Sequence, residues 1–102
     1  MARKTDLIVI ASAKAQPGRE QDLERALRDV SKPTREQPGL VGFSLYRSSS
    51  DPAILVGFER WASPEDHARH LQGEHVQRLM SAMGSVLAEP PNIVAYQILD
   101  ED

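Results

Sequence analysis

The chain has 102 residues, of which 40% are hydrophobic and 26% charged, and its formal net charge at pH 7 is −3. This composition predicts one globular domain, 1–102, without the basic surface that nucleic-acid binding requires. Because there is no cysteine, disulfides, thiolate nucleophiles and Cys-ligated zinc are excluded. The longest apolar run, 7–11, is too short to cross a bilayer, and no signal peptide is recognisable. We therefore expect a cytoplasmic protein without a membrane partner.

The first part of the chain predicts a strand followed by an amphipathic helix. Residues 7–13, Leu-Ile-Val-Ile-Ala-Ser-Ala, form a short β-branched run bounded by polar residues, which is typical of a strand. A turn at Gln16-Pro17-Gly18 follows. Beyond it the apolar residues recur with helical spacing, at Leu23, Ala26, Leu27 and Val30. Pro33 is expected to bend or end this helix, and Pro38-Gly39 to stop it.

The second part predicts a hairpin, an interrupted helix and a last strand. Strands at 40–48 and 53–61 flank a Ser-Ser-Asp-Pro turn and should pair antiparallel. Ser63 is a suitable N-cap for the next helix, which should break at Gly73 and resume as a second amphipathic segment. The final strand is predicted at 93–99. The order β-α-β-β-α-β is that of the ferredoxin-like α+β fold, a four-stranded antiparallel sheet with helices on one face.

The hairpin turn predicts which side chains share a face of the sheet. Centring the turn between Ser50 and Asp51 pairs Tyr46 with Leu55, and Gly42 with Glu59. One face then carries Tyr46, Gly57, Glu59 and Trp61, and the other carries Phe43 and Phe58. We expect the first face to enclose a cavity beneath the helices and the second to meet another copy in a homodimer. The reverse assignment of the two faces is also possible.

The most chemically useful side chains lie in 59–75, E-R-W-A-S-P-E-D-H-A-R-H-L-Q-G-E-H, which holds the only Trp and all three His. The chain here resembles the antibiotic biosynthesis monooxygenase family. Glu59 and Trp61 match the E-x-W at the end of that family's third strand. His70 and His75 match the two histidines of its A-H-L-x-S-x-H helix motif, with glycine in place of the common serine.

The resemblance implies a dimeric α+β barrel with a pocket between sheet and helices in each subunit. Characterised members of the family include oxygenases that act on polyketide aromatic rings and quinols without metal or flavin. Relatives degrade haem, isomerise lactones or have no known activity. The haem-degrading branch uses an Asn on the first strand, whereas the only Asn of this chain, Asn92, lies near the last strand. That difference counts against haem degradation.

Cofactor-free oxygenation needs a base that deprotonates a phenol, a dry cavity and donors that stabilise the resulting oxyanion. His70 is the predicted base, because imidazole titrates near neutral pH. Trp61 could stack on an aromatic ring and donate its N–H, so these two residues are the predicted catalytic pair. The predicted substrate-binding residues are Tyr46, Gly57, Glu59, His75, Met80 and Met83. Each of these residues also has a purely structural interpretation, as a hydrogen-bonded histidine, a core anchor or ordinary packing.

The three histidines also raise the question of a metal site. His67 and His70 could share a helix face, but His75 reaches them only if the helix breaks at Gly73. No carboxylate completes a familiar ligand set, so we predict neither a metal nor another cofactor. The leading hypothesis is a cofactor-free monooxygenase that uses molecular oxygen on a phenolic, quinol or polyketide-type aromatic molecule. A non-catalytic dimeric ligand-binding or interaction domain is the alternative, and a lactone isomerase-like or haem-binding activity is a third.

Overall fold

The computed structural model describes residues 4–101, so the ends of the predicted domain, 1–3 and 102, lie outside the described residues. The elements in chain order are β1 (Leu7–Lys14), α1 (Glu20–Arg35), β2 (Leu40–Arg47), β3 (Ile54–Trp61), α2 (Pro64–Leu71), α3 (Glu74–Met83) and β4 (Asn92–Gln97). The strands form a four-stranded antiparallel sheet in the order β2-β3-β1-β4. The predicted α+β fold and the helix break at Gly73 are confirmed. Within residues 4–101, no helix has the length and apolar character needed to cross a membrane.

Several strand boundaries differ by one or two residues from those predicted, and the ends of α1 and β4 have a local explanation. Pro33 lies inside α1 and does not end it; the helix continues to Arg35. The proline lacks the N–H that would bond to the residue 29 carbonyl, so it removes one helical hydrogen bond near the C-terminal end. The chain then reverses at Gly39, whose φ of 87° suits glycine. At the other end of the chain, β4 stops at Gln97 because its pairing partner there, Leu7, is the first residue of β1.

The predicted register of the β2–β3 hairpin is wrong by one residue. Leu45 lies opposite Gly57, and Phe43 opposite Glu59. The cause is the turn, in which Ser48 Oγ accepts hydrogen bonds from the backbone N–H groups of residues 50 and 51. With the turn held in this way, Ser48 N donates a backbone hydrogen bond to the residue 54 carbonyl and closes the loop. The predicted turn would have placed residue 48 opposite residue 53 instead.

The corrected register changes which side chains face the helices. Because strand side chains alternate, Phe43 and Leu45 lie under the helices and Tyr46 points away from them. For β3 the prediction was right, since Glu59 and Trp61 are buried on the helix-covered face. The opposite face, called here the open face, carries Ile8, Ile10, Tyr46, Val56, Phe58, Val94 and Tyr96.

The helix-covered face has two filled ends with a gap between them. At one end Leu55 packs in a hydrophobic core with Leu23 and Met83. At the other end Trp61 is completely buried against the rings of the α2 histidines. Between Leu55 and Trp61 on this face of β3 stand Gly57, which has no side chain, and Glu59. The fold therefore leaves space above the middle of the sheet, next to a buried carboxyl group.

Candidate active site

A cavity of about 110 Å³ occupies the space above Gly57, between the sheet and the helices. Most of its wall is apolar, with side chains that include Leu23, Leu27, Phe43, Leu45, Leu55, Met80, Met83 and Ile93. A Cβ atom added to Gly57 would lie 3.9 Å from the Phe43 ring, in ordinary van der Waals contact. The backbone therefore tolerates a side chain at this position, and its absence is what leaves the volume open.

One end of the cavity is polar and is formed by Glu59, His67 and His70. All three residues are at least nine-tenths buried, with exposed fractions of 8%, 9% and 5%. Glu59 projects from β3 and the two imidazoles from α2, where a spacing of three residues places them on the same side of the helix. Ser63 fixes the start of that helix, since its Oγ accepts a hydrogen bond from Asp66 N at 3.2 Å. Sheet and helix thus hold three ionisable groups against an apolar cavity.

Trp61 lies behind this polar end and outside the lining of the cavity. Its Nε1–H donates to Glu59 Oε1 at 2.8 Å, and its ring centroid is 4.9 Å from that of His70. The indole donor is therefore already committed within the protein. The predicted role of Trp61, stacking on a substrate ring with a free N–H, does not agree with this arrangement.

Each of the three histidines carries a ring nitrogen atom without a hydrogen-bond partner among the described residues. His67 Nε2, His70 Nδ1 and His75 Nε2 are buried and accept or donate no hydrogen bond within residues 4–101. His67 Nε2 lies 3.9 Å from Glu59 Oε1, which is too far for a direct hydrogen bond. The break at Gly73 does bring the His75 ring to 5.2 Å from the His70 ring, but His75 does not line the cavity. In the described part of the chain, no three His, Asp or Glu side chains are arranged to hold a metal ion.

Burial sets the charge of these groups. It raises the pKa of Glu59, although the hydrogen bond from Trp61 works in the opposite direction. Burial lowers the pKa of His67 and, together with the charges of His75 and His67, lowers the pKa of His70 to about 4. Both imidazoles are consequently neutral at pH 7. A neutral imidazole can accept a proton from a ligand. The lowered pKa makes each of these imidazoles a weak base, and a negative charge beside the ring would raise that pKa again.

The sequence model of the antibiotic biosynthesis monooxygenase family matches residues 6–82. The chain belongs to the antibiotic biosynthesis monooxygenase family. A curated relative, an uncharacterised protein of Synechocystis sp., is 21% identical over 94 residues. The alignment includes 92% of this chain, which spans 64% of the length of that relative.

Solved structures resemble this family member over nearly its whole length. A protein of Pseudomonas aeruginosa is 28% identical with a TM-score of 0.88, covering 94% of this chain and 96% of its own. A Mycobacterium tuberculosis protein has the same identity and TM-score and covers 94% and 97%. A structure named antibiotic biosynthesis monooxygenase is 22% identical, covers 92% of this chain and 99% of its own, and has a TM-score of 0.85. At 22% identity, the similarity to this last structure shows a shared fold only.

The structure of this antibiotic biosynthesis monooxygenase family member gathers some predicted site residues and separates others. It brings together at the cavity Gly57, Glu59, His70, Met80 and Met83. Trp61 and His75 lie outside the cavity, each with its ring next to that of His70. Tyr46 lies on the open face, with 56% of its surface exposed.

Most residues of the cavity wall were not among the predicted binding residues, and two of them, His67 and Phe43, show why. His67 was considered only as a metal ligand, although its spacing from His70 already placed the two on one helix face. Phe43 was assigned to the other face of the sheet because the predicted register was one residue out. A signal in the sequence could have revealed the first residue, whereas the second depended on the geometry of the turn.

Proposed function

We propose that this chain is a cofactor-free monooxygenase that uses molecular oxygen to oxidise a small phenolic or quinol-type aromatic molecule. Residues 1–102 would act as one domain in the cytoplasm. The observation that carries the proposal is an apolar cavity closed at one end by Glu59, His67 and His70, each at least nine-tenths buried. Family membership adds support, since it provides the monooxygenase-type fold.

The proposed chemistry follows from the apolar wall of the cavity and the polar groups at one end of it. The aromatic ring lies against the apolar side chains, and its hydroxyl group reaches the polar end. Neutral His70 accepts the hydroxyl proton, which leaves an electron-rich aryloxide in a dry site. The aryloxide passes an electron to oxygen, and the two radicals combine at a ring carbon. The O–O bond of this peroxide then breaks as the same ring carbon loses its hydrogen. One oxygen atom stays on the ring, which becomes a quinone, and the other leaves as water with that hydrogen and the proton held by His70, so the substrate supplies all the electrons.

A non-catalytic ligand-binding domain is the second candidate, and two features of the site favour it. The pKa of His70, lowered to about 4, makes this imidazole a weak proton acceptor until an anion is present. Trp61 is likewise engaged with Glu59 and unavailable to a ligand. In that case the same cavity binds an aromatic molecule without changing it.

We further propose that the protein is a homodimer formed through the open face. Ile8, Ile10, Val56, Phe58 and Val94 form a continuous apolar surface across three strands, and the helices cover only the other face. A sheet face of this composition is typical of a contact between proteins. A second copy is the partner that the family resemblance favours.

The function is tested by oxygen uptake with 1,4-dihydroxybenzene and with phenol, under conditions without added metal or flavin. We expect uptake that falls to the background rate in His70→Ala. Tyr46→Phe is the matched control, because Tyr46 stands on the open face and its change should leave uptake intact. Binding of these ligands without any uptake in the wild-type protein would favour the second candidate. Full uptake by His70→Ala would remove His70 from the mechanism.

A further inference from the structure

We propose that Glu59 and His67 together form a binding site for a single hydroxyl group, and that the cavity takes a ligand with one aromatic ring. The location of the ligand rests on the proposed function, but the binding claim does not require any turnover. No predicted role included this pair, because His67 was considered only as a metal ligand.

The first support is the distance between the two side chains. Glu59 Oε1 and His67 Nε2 lie 3.9 Å apart, so they do not bond to each other. An oxygen atom between them can lie about 2.8 Å from both, the usual length of a hydrogen bond to oxygen. Since both residues line the cavity, a ligand group can reach that position from inside it.

The second support is the cost of leaving the imidazole nitrogen without a partner. His67 Nε2 is buried and makes no hydrogen bond to any residue from 4 to 101. Buried polar atoms are normally hydrogen-bonded, because losing water without replacement is unfavourable. A ligand that supplies the missing bond therefore gains affinity where the protein itself provides no partner.

The third support is the kind of group that matches both atoms. A neutral imidazole with its proton on Nε2 donates, while an ionised carboxylate accepts; with the proton on the carboxyl group the roles are exchanged. In either state the pair offers one donor and one acceptor. A hydroxyl group supplies one of each, whereas an ether or a carbonyl only accepts and an ammonium group only donates.

The size limit comes from the remaining volume. The cavity measures about 110 Å³, and an engineered protein cavity that holds benzene measures about 150 Å³. One ring is therefore the upper limit for the enclosed volume, and even one ring requires small shifts of the lining side chains. Fused systems of three or four rings exceed it. A phenol is the simplest molecule that combines one ring with one hydroxyl group.

Binding of phenol and toluene, measured by calorimetry under nitrogen at pH 7, provides the test. The two molecules have nearly the same shape, but an apolar cavity without a polar partner prefers toluene by about tenfold, because phenol loses its hydration. We expect the wild-type protein to bind phenol at least as tightly as toluene. His67→Phe, which keeps a ring and removes Nε2, should lower the phenol-to-toluene affinity ratio about tenfold.

Matched variants separate this site from its surroundings. Glu59→Leu should lower the same ratio, while Glu59→Gln should retain most of it, because an amide also bonds to a hydroxyl group. Tyr46→Phe, on the open face, should leave both affinities unchanged, and the wall variant Met80→Leu should leave the ratio unchanged even if both affinities shift. Loss of turnover in His70→Ala together with a lower ratio in His67→Phe would keep both proposals, whereas full turnover in His70→Ala would overturn only the role of His70.

Two results would overturn the inference. A phenol-to-toluene ratio that is the same in His67→Phe as in the wild type would mean that the pair does not recognise the hydroxyl group. 1-Naphthol binding more tightly than phenol in the wild-type protein would remove the one-ring limit. If Glu59→Leu fails to fold, His67→Phe and the wild-type comparison still decide the question.

Discussion

The indole Nε1–H of Trp61 donates to Oε1 of Glu59 at 2.8 Å, between two side chains on the same face of one strand. The hydrogen bond favours the ionised carboxylate, whereas burial opposes it. Trp61 therefore acts on the cavity through Glu59, whose position and charge it influences, and it is not itself among the residues that line the cavity. The E-x-W pair behaves as one structural unit.

Replacing Trp61 with Phe should show this indirect effect. The change removes the donor to Glu59, so the pKa of Glu59 should rise further above its usual range. Lost volume and the lost hydrogen bond should lower the free energy of unfolding by about 2 kcal/mol. Urea unfolding and an NMR titration of the Glu59 carboxyl carbon measure the two effects. An unchanged Glu59 pKa would show that the hydrogen bond does not control this carboxyl group.

Glu59→Gln should alter how stability depends on pH. The folded pKa of Glu59 lies above its ordinary 4.5, so between the two values the folded state holds a proton that the unfolded state has lost. The free energy of unfolding of the wild type therefore falls as pH rises through this range, by about 1.4 kcal/mol for each unit of the shift. The variant should lack this decline and so gain stability relative to the wild type as pH rises above 4.5. Parallel stability curves would contradict the raised pKa.

His70 should affect the pH dependence of stability in the opposite direction, and His70→Gln tests this. The pKa of His70 falls from an ordinary 6.5 in the unfolded chain to about 4 in the folded protein. Between these values only the unfolded state binds the proton, so the wild-type contribution is complete above pH 6.5 and decreases as pH falls towards 4, by about 3 kcal/mol in total. Thermal unfolding from pH 7.5 to pH 4 should show a shallower acid decline in the variant. Tyr46→Phe, on the open face and away from the histidines, is the comparison and should keep the acid decline of the wild type.

Gly57→Ala should stabilise the protein and weaken ligand binding. The backbone at residue 57 does not have the positive φ found at residues 18 and 39, and a Cβ there meets its nearest atoms at 3.9 and 4.0 Å. Alanine restricts the unfolded chain, so we expect a gain of about 0.5–1 kcal/mol in the free energy of unfolding. The added methyl group enters the cavity, so phenol affinity should decrease. Calorimetry and thermal unfolding measure both, and undiminished phenol affinity would place the ligand elsewhere.

Phe58→Asp should disrupt the proposed dimer. Phe58 lies near the middle of the open face, where a buried and unpaired carboxylate would be strongly unfavourable. We expect light scattering after size-exclusion chromatography to give a dimer mass for the wild type and a monomer mass for the variant. Ser50→Asp, in the exposed β2–β3 turn, is the control for added charge and should remain a dimer. A monomeric wild type would refute the proposed dimer.

The order of elements was readily predicted, because it depends on patterns within short segments. Alternation, helical spacing and turn residues were sufficient for the fold and for the break at Gly73 that brings His75 to His70. The hairpin register was predicted one residue out, because side-chain hydrogen bonds from Ser48 determine where the turn closes. That single step moved Phe43 to the cavity and Tyr46 away from it.

The site was less predictable because it depends on side-chain directions. Alternation places Glu59 and Trp61 on one face, but it does not show that the indole bonds to the carboxylate. Nor does helical spacing show that His67 Nε2 stops 3.9 Å from Glu59 Oε1. These distances result from the way β3 and α2 pack together.

The space above Gly57 results from a missing side chain, at a position where the backbone would accept a larger residue. A substitution at this single position can therefore reduce the volume of the cavity without disturbing the sheet or the helices. Homologous proteins can acquire different substrate ranges by mutation at this point while they keep a common architecture. Selection on what such a protein binds can thus act almost independently of selection on how it folds.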